Sequence, residues 1–540
     1  MKTQEMPREK LISIIEEKDR KIEEQDKRIA ELEKIVEWFK TQIHLAKQKQ
    51  YGVSSEQTYL NQMTLFNGLE TTADSTHERP KITEVKAHYR KRTRLTTDKL
   101  PEDLPVEIIE HELPEKDRSC PECGSGMHTM GKETREEIKL IPAKVVILRH
   151  VRHIYACRNC EATSDHVPIV KADMPEPVIK GGFASPETIA HIAVQKFMMA
   201  SPLYRQEQEW KQYGILLSRQ TMANWLIKAK DWLEPLYEKM KQRLLEHEVL
   251  HADETTVQVL KEPGKAAQSK SYIWLYRTSG EAEKQIVLYD YQPDRKYNRP
   301  REFLEGFSGY LHTDGYEAYH RLPDNIIVVG CLAHLRRKFC EGLKILPKEK
   351  QKESQLLKGV EYCDELFRYE REFALLTPKE RFERRQLLSK PLFNEFYSWM
   401  EGLCVLPKSM LGRAIRYARE QKKYIERYLM DGRLEISNNR AERSIKPYVL
   451  GRKNWLFCNT PAGARASAVY YSIIVTAMEN GLNPYQYLTW VFTQMPNLGK
   501  HGYAATVDEL LPYSAALPEK VYVPTPKKEP EKYAWEEEEE

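Results

Sequence analysis

The chain has 540 residues, with 84 Lys and Arg against 80 Asp and Glu and a formal net charge of +4. That length exceeds what one hydrophobic core sustains and points to about three or four units, while the near balance of charge does not by itself indicate nucleic acid. Nine cysteines behind a start, Met1-Lys2-Thr3-Gln4-Glu5, that has no apolar leader favour reduced thiols and metal ligation over a disulfide framework. The longest nearly apolar stretch, Ala466 to Met478, falls short of the roughly 20 residues that span a bilayer. A soluble, cytoplasmic protein with no membrane partner is expected.

Between Leu11 and Leu45 there is no Pro or Gly, and Ile15, Ile22, Ile29, Val36 and Ile43 recur every seventh residue. These are heptad a positions. The d positions, Lys18, Gln25, Leu32 and Phe39, are polar early and apolar late. β-branched a residues with Leu at d favour a parallel two-stranded coil, and hence a dimer or larger assembly; one amphipathic helix lying on its own protein is the alternative. This assigns 1–50 to a coiled coil. Residues 51–118, polar and without period, read as a linker that includes the basic run Arg90 to Arg94.

Cys120-Pro-Glu-Cys123-Gly124 and Cys157-Arg-Asn-Cys160 form two C-x-x-C knuckles within 119–163, and Val145 to Tyr155 between them is rich in β-branched residues, as in the hairpin of a zinc ribbon. Four thiolates suit one structural Zn²⁺, and Gly124 relieves the turn that lets two sulfurs converge. Buried free cysteines are the alternative. His128, His150 and His153 read as loop or hairpin residues.

Residues 184–246 read as helices. Ser185-Pro186-Glu187 begins one with Ile189, Ile192, Ala193 and Phe197 on a single face, a second runs near Leu203 to Tyr213, Gly214 turns the chain, and Ser218-Arg219-Gln220-Thr221 caps a third carrying Met222, Trp225 and Leu226. The pattern resembles a helix-turn-helix, with Arg219 as its candidate DNA contact; plain helical packing explains it equally well. From 247 the period changes to strands, at Glu248 to Ala252, Ser271 to Arg277, Gln285 to Tyr291, Gly309 to Thr313 and Ile326 to Val329. The first three imply an antiparallel meander that the later two extend. Residues 332–430 are charged and helical, like an insertion, before helices resume at Ser437 and continue through 462–480. The segment 481–540 is Pro-rich and ends in an acidic tail.

Three carboxylates stand out by context. Asp253 follows the apolar strand Val249-Leu250-His251-Ala252 and is expected at the end of the sheet, with Glu254 as its rival on the opposite strand face. Asp314 follows Tyr310-Leu311-His312-Thr313 and precedes Gly315. Glu442 lies on a helix starting at Ser437, where Asn438, Glu442 and Lys446, four apart, share a face that could meet one phosphate until Pro447 limits the helix. Taken singly, each acid has an ordinary surface or capping role as its alternative. Cys331 and His334 have only Cys340 nearby and read as helical packing residues. The cations Arg336, Arg337 and Lys338, and Arg440, Arg443, Lys446, Arg452 and Lys453, are solvated faces unless a phosphate lies beside them.

His251-Ala252-Asp253-Glu254-Thr255, His312-Thr313-Asp314-Gly315-Tyr316 and Asn438 through Glu442-Arg443 to Gly451-Arg452-Lys453-Asn454 resemble the transposases of the insertion sequence 66 family. So do Tyr51-Gly52-Val53-Ser54-Ser55-Glu56, the paired knuckles, Pro202-Leu203-Tyr204-Arg205-Gln206-Glu207, Cys331 through His334 to Phe339, and Asn480-Gly481-Leu482-Asn483-Pro484. The resemblance covers nearly the whole chain in the family's order. It implies a multidomain α/β protein with a ribonuclease-H-like catalytic domain at 247–480, split by the helical insertion. It further implies a DDE triad of Asp253, Asp314 and Glu442 holding two Mg²⁺ or Mn²⁺ ions that serve DNA cleavage and strand transfer. The implied partners are transposon-end and target DNA, further copies of the chain and accessory proteins of the same element. Arg219, Arg336, Arg337, Arg443, Lys446, Arg452 and Lys453 are the candidate DNA contacts. A catalytically inactive or domesticated transposase that only binds DNA is the alternative function.

Overall fold

Among the described residues, Ile154–Ala156 at the end of the β-branched stretch pairs with chain beyond the second knuckle. The computed structural model describes residues 144–157 and 169–524, together with Lys18, Arg20, Lys21 and Gln25. Strand β1 (Ile154–Ala156) runs antiparallel to β2 (Ile169–Lys171), with Tyr155 opposite Val170, and Arg152 Nε donates to Ala172 O at 2.6 Å. Of the stretch read as suggesting a zinc-ribbon hairpin, Ile154–Ala156 is strand, and residues 124–143 lie outside the described residues. Cys157 is exposed; Cys120, Cys123 and Cys160, the heptad a positions and the acidic tail lie outside the described residues. Of the d positions, Lys18 and Gln25 are helical and exposed.

Helix α1 (Pro186–Phe197) starts where the sequence places it: the Ser185 side chain accepts from Thr188 N at 3.3 Å, and Pro186 sits at the first turn. Its apolar face, Ile189, Ile192, Ala193 and Phe197, is buried. After α2 (Leu203–Gln212), Gly214 adopts φ +75 and relieves the turn into α3 (Arg219–Leu245), which Ser218 caps at 3.1 Å from Thr221 N. With 27 residues, α3 carries a buried stripe from Met222 and Trp225 to Met240 and Leu244 at helical spacing. The helix-turn-helix-like region thus belongs to the same hydrophobic core as the β-sheet that follows it. At the start of α3, Arg219 is exposed, its guanidinium 5.8 Å from the Tyr204 ring centre.

The sheet has five strands in the order β5-β4-β3-β6-β7: β3 (Val249–Gln258), β4 (Lys270–Thr278), β5 (Val287–Gln292), β6 (Gly309–His312) and β7 (Ile326–Val329). The first three form the expected antiparallel meander. The last two join the other side of β3 in parallel, with His251 opposite His312 and His312 opposite Val329. Gly309 allows this pairing to begin, because a Cβ there would lie 2.3 Å from Glu248 O. A short helix, α4 (Asn298–Phe303), packs between β5 and β6 in sequence.

After β7 the chain leaves the sheet for the insertion: α5 (Leu332–Ile345), α6 (Lys348–Gln351), α7 (Gln355–Glu372), α8 (Pro378–Arg384), α9 (Lys390–Glu401) and α10 (Met410–Ile425). These helices bury a second core, which includes Phe339, Cys363, Phe393, Phe396 and Met400. Leu332 N–H donates to Ile436 O at 3.0 Å, so the outgoing and returning chains lie side by side at a narrow neck.

Helix α11 (Asn439–Trp455) then packs on β3 and β4 and continues for two turns beyond Pro447. Burial of Ala441, Ile445 and Tyr448 against the sheet offsets the roughly 3 kcal/mol cost of an interior proline. Helix α12 (Pro461–Glu479) contains the longest apolar stretch. It is buried on nearly every face, between α3 and the edge strand β5. There Ser472 Oγ and Thr476 Oγ1 accept from Tyr289 N and Val287 N at 2.8 and 3.0 Å, covering an edge that would otherwise expose unpaired N–H groups. Helix α13 (Pro484–Gln494) packs on α1, and its Tyr487, Leu488, Val491 and Phe492 join the sheet's core. Among the described residues no helix is long and apolar enough to cross a membrane.

Candidate active site

Two residues before each candidate aspartate lies a buried histidine. His251 on β3 and His312 on β6 stack with ring centroids 4.4 Å apart and planes 11° from parallel, locking the two strands in register. Asp253 follows on the same face of β3 as His251, and Asp314 lies just past the end of β6. Asp253 is not at the end of its strand, because the hairpin with β4 carries β3 on to Gln258. It lies where the pairing with the shorter β6 stops. Asp314 sits in the turn after β6, where its Oδ1 accepts from Tyr316 N at 2.9 Å. The following Gly315 packs closely on α10 of the insertion, since a Cβ there would lie 2.8 Å from Tyr417 Oη.

Glu442 stands in the first turn of α11, and that helix is tied to the sheet one turn earlier. Asn438 donates through Nδ2 to Ala252 O at 2.8 Å, which leaves its Oδ1 to accept from His251 Nδ1 at 3.0 Å. Its backbone carbonyl in turn accepts from Glu442 N at 3.2 Å. Asn438 is therefore buried and engaged with the sheet, not presented to a phosphate beside Glu442 and Lys446. Burial holds His251 down at about 4 and His312 far below its usual range, so both rings are neutral at pH 7. Burial would raise the neighbouring Glu435 carboxyl, but His251 and the Arg440 guanidinium pull it down to about 2.

The acids at the centre behave in the opposite way. Burial pushes the Asp253 carboxyl well above the usual carboxylate range, reinforced by the charges of Glu254, Asp314 and Glu442. Burial raises Asp314 too, against the Tyr316 N–H and Arg295, and raises Glu442 against Arg337, whose Nη2 lies 3.4 Å away. Glu442 Oε1 is buried, accepts no hydrogen bond and lies 3.5 Å from His334 Nε2. Hard, crowded carboxylate oxygens with an unfilled acceptor fit divalent cations such as Mg²⁺. Glu254 sits on the other strand face, where Arg295 Nε donates at 2.9 Å and Tyr319 Oη at 2.7 Å; burial and Asp314 still raise it.

Residues 181–466 match the family model described as Transposase IS66 family, and 117–161 match the zinc-finger binding domain of transposase IS66. This chain belongs to the insertion sequence 66 (IS66) family of transposases. Residues 472–513 match the IS66 C-terminal element, and 38–109 a model described as Transposase C of IS166 homeodomain, which takes in most of the stretch read as a linker. The uncharacterized protein y4jD of Sinorhizobium fredii (strain NBRC 101917 / NGR234) is 31% identical over 411 residues, 73% of this chain and 78% of its own length. The uncharacterized protein y4qI of the same strain is 31% identical over 423 residues, 76% of this chain and 75% of its own.

The cations proposed from sequence in this IS66 family member divide into two groups. Arg443 and Lys453 are exposed on α11 and Lys446 is partly so, while Arg337 faces Glu442. Arg336, by contrast, is 4% exposed and bound to Asp364 inside the insertion, so its charge is not offered to DNA. Arg452 is turned to β3, donating to Thr255 Oγ1 and Thr256 Oγ1 at 3.0 Å each. Sequence reasoning missed Arg295, which lies in a loop without a motif, and the insertion's basic cluster. There Lys390, Arg419, Lys422, Lys423 and Arg427 border a cavity of about 820 Å³.

Proposed function

We propose that this transposase cuts the ends of its insertion sequence and joins them to target DNA at a site formed by Asp253, Asp314 and Glu442. The observation that carries this reading is that three half-buried carboxylates, from β3, the turn after β6 and the first turn of α11, are all raised by burial, and that Asp253 is raised further by the charges of Asp314 and Glu442. A sheet with three antiparallel strands followed by two parallel additions beside the first, plus a helix supplying the last acid, supports a ribonuclease-H-like fold.

When bound, a pair of Mg²⁺ or Mn²⁺ ions supplies an activated attacking oxygen and neutralises the leaving one. Asp253 offers oxygens from β3 and Asp314 from the turn after the adjacent β6, and Glu442 closes the site from the helix. The stacked histidines and Asn438 keep these three elements in register without taking part in the chemistry. Arg337, Arg443, Lys446 and Lys453 surround the entrance with positive charge suited to the phosphate backbone, with Arg219 at the start of α3 as a further contact. Cys120, Cys123, Cys157 and Cys160 hold one structural Zn²⁺, four thiolates leaving no open position. The N-terminal heptads pair copies of the chain, as a reaction on two transposon ends requires.

The experiment is incubation of the purified full chain with duplexes carrying the element's ends, in Mg²⁺ or Mn²⁺. The expected products are nicks with free 3′-hydroxyls at the ends and, with added target, joined strands. Specific binding without any metal-dependent cut would favour the DNA-binding alternative instead.

A further inference from the structure

We propose that Cys331, His334 and Glu442 form a second metal site, selective for a borderline divalent ion of the Zn²⁺ class, which shares Glu442 with the carboxylate site. The sharing rests on the reading of Glu442 given above; the site itself rests on geometry. Among the described residues these three form the only group of three His, Cys, Asp or Glu side chains whose ligand atoms all lie within 4.8 Å of one another.

The neck of the insertion creates this arrangement. Cys331 precedes α5 and His334 lies in that helix's first turn, while Glu442 comes from the first turn of α11, beyond the whole insertion. The bond from Leu332 N to Ile436 O holds the two helix starts together. Asn438 N–H points at Cys331 Sγ at 3.1 Å, the kind of backbone donor that orients a ligating sulfur. Neither His334 Nδ1 nor Glu442 Oε1 makes a hydrogen bond, although both are buried.

The donor set decides the ion. Sulfur, imidazole nitrogen and one carboxylate suit Zn²⁺ or Co²⁺ and are poor ligands for Mg²⁺, which prefers oxygen throughout. Three protein ligands leave a fourth position open to water. On binding, the Cys331 thiol passes its proton to solvent. Because Glu442 cannot serve both sites fully, an ion here withdraws a ligand from the carboxylate site and slows Mg²⁺-dependent cleavage.

The test uses the full chain with its cysteine knuckles already loaded with Zn²⁺, titrated with Co²⁺ and followed by the cobalt–thiolate charge-transfer band. A band that saturates near one added equivalent, disappears in Cys331→Ser and needs about tenfold more Co²⁺ in His334→Gln supports the site. Unchanged circular dichroism in His334→Gln guards against a folding artefact in the cysteine variant. No band in the wild type, or a band that survives Cys331→Ser and disappears in Cys120→Ser/Cys157→Ser, overturns it. Zn²⁺ should inhibit Mg²⁺-dependent cleavage with about tenfold lower potency in Cys331→Ser, and equal potency overturns the sharing of Glu442. Absence of cleavage beside an intact cobalt band refutes the transposase reading and leaves the metal site standing.

Discussion

His251 stacks face to face on His312, ring centroids 4.4 Å apart, and each lies two residues before a candidate catalytic aspartate. The pair turns strand register into the geometry of the proposed site. A slip of one residue between β3 and β6 would send one aspartate to the opposite face of the sheet. Asn438 extends the same lock to the helix that carries Glu442.

Asn438→Ala should therefore damage both stability and cleavage. It leaves His251 Nδ1 and Ala252 O buried without partners, at a cost of about 1–3 kcal/mol in denaturant unfolding. It also loosens Glu442 one turn away, for an expected loss of about 10–100-fold in cleavage rate. Full activity in a variant of unchanged stability would show that the tether does not position the helix.

Metal and pH should be linked through the raised acids. Because Asp253, Asp314 and Glu442 are raised in the folded state, the folded chain holds more protons than the unfolded chain between the ordinary carboxylate range and the raised values. Metal-free stability from these groups thus falls as pH rises through that window, and a bound cation offsets the loss. In chelator at about pH 7, Asp253→Asn should melt above the wild type, by on the order of 2–4 °C for each kcal/mol of repulsion relieved, with the gap closing below about pH 4. Calorimetry across pH checks this, and an Asp253→Asn protein that melts no higher than wild type at neutral pH would contradict it.

Local signals were legible in the sequence, and long-range ones were not. The Ser185 and Ser218 caps, the apolar face of α1 and all five strands follow from periodicity and turn chemistry over a few residues. The continuation of β3 past Asp253 depends on pairing with β4, and the continuation of α11 past Pro447 on burial against the sheet; neither is a local preference. Asn438 meets His251 across 187 positions, and Glu442 reaches His334 only because the insertion's two ends meet. Arg336 and Arg337 are adjacent in sequence and equally basic, yet helix geometry turns the first to Asp364 and the second to Glu442.

That division among the cations can be measured. Arg443→Ala with Lys453→Ala should weaken binding to element-end DNA and reduce the slope of log affinity against log salt by about 2, with folding intact. Arg336→Ala should instead destabilise the fold by about 3 kcal/mol by leaving Asp364 without its cation. Binding titrations at several salt concentrations, beside unfolding curves, distinguish the two. An Arg336→Ala protein of normal stability and poor DNA affinity would reverse the assignment.

Whether Asp253, Asp314 and Glu442 act together as metal-holding carboxylates is decided by comparing cleavage with DNA binding in Asp253→Asn, Asp314→Asn and Glu442→Gln. Each substitution keeps shape and removes one charge, so cleavage and joining in Mg²⁺ should fall by about 10³-fold or more, on the order of the loss of a major electrostatic group in an active site. Affinity for transposon ends, which comes from distributed cations and counterion release, should change little. Glu254→Gln, whose carboxylate is engaged with Arg295 and Tyr319, should retain most of the cleavage. Strong cleavage by any of the three, or a dead Glu254→Gln beside an active Asp253→Asn, would contradict the assignment.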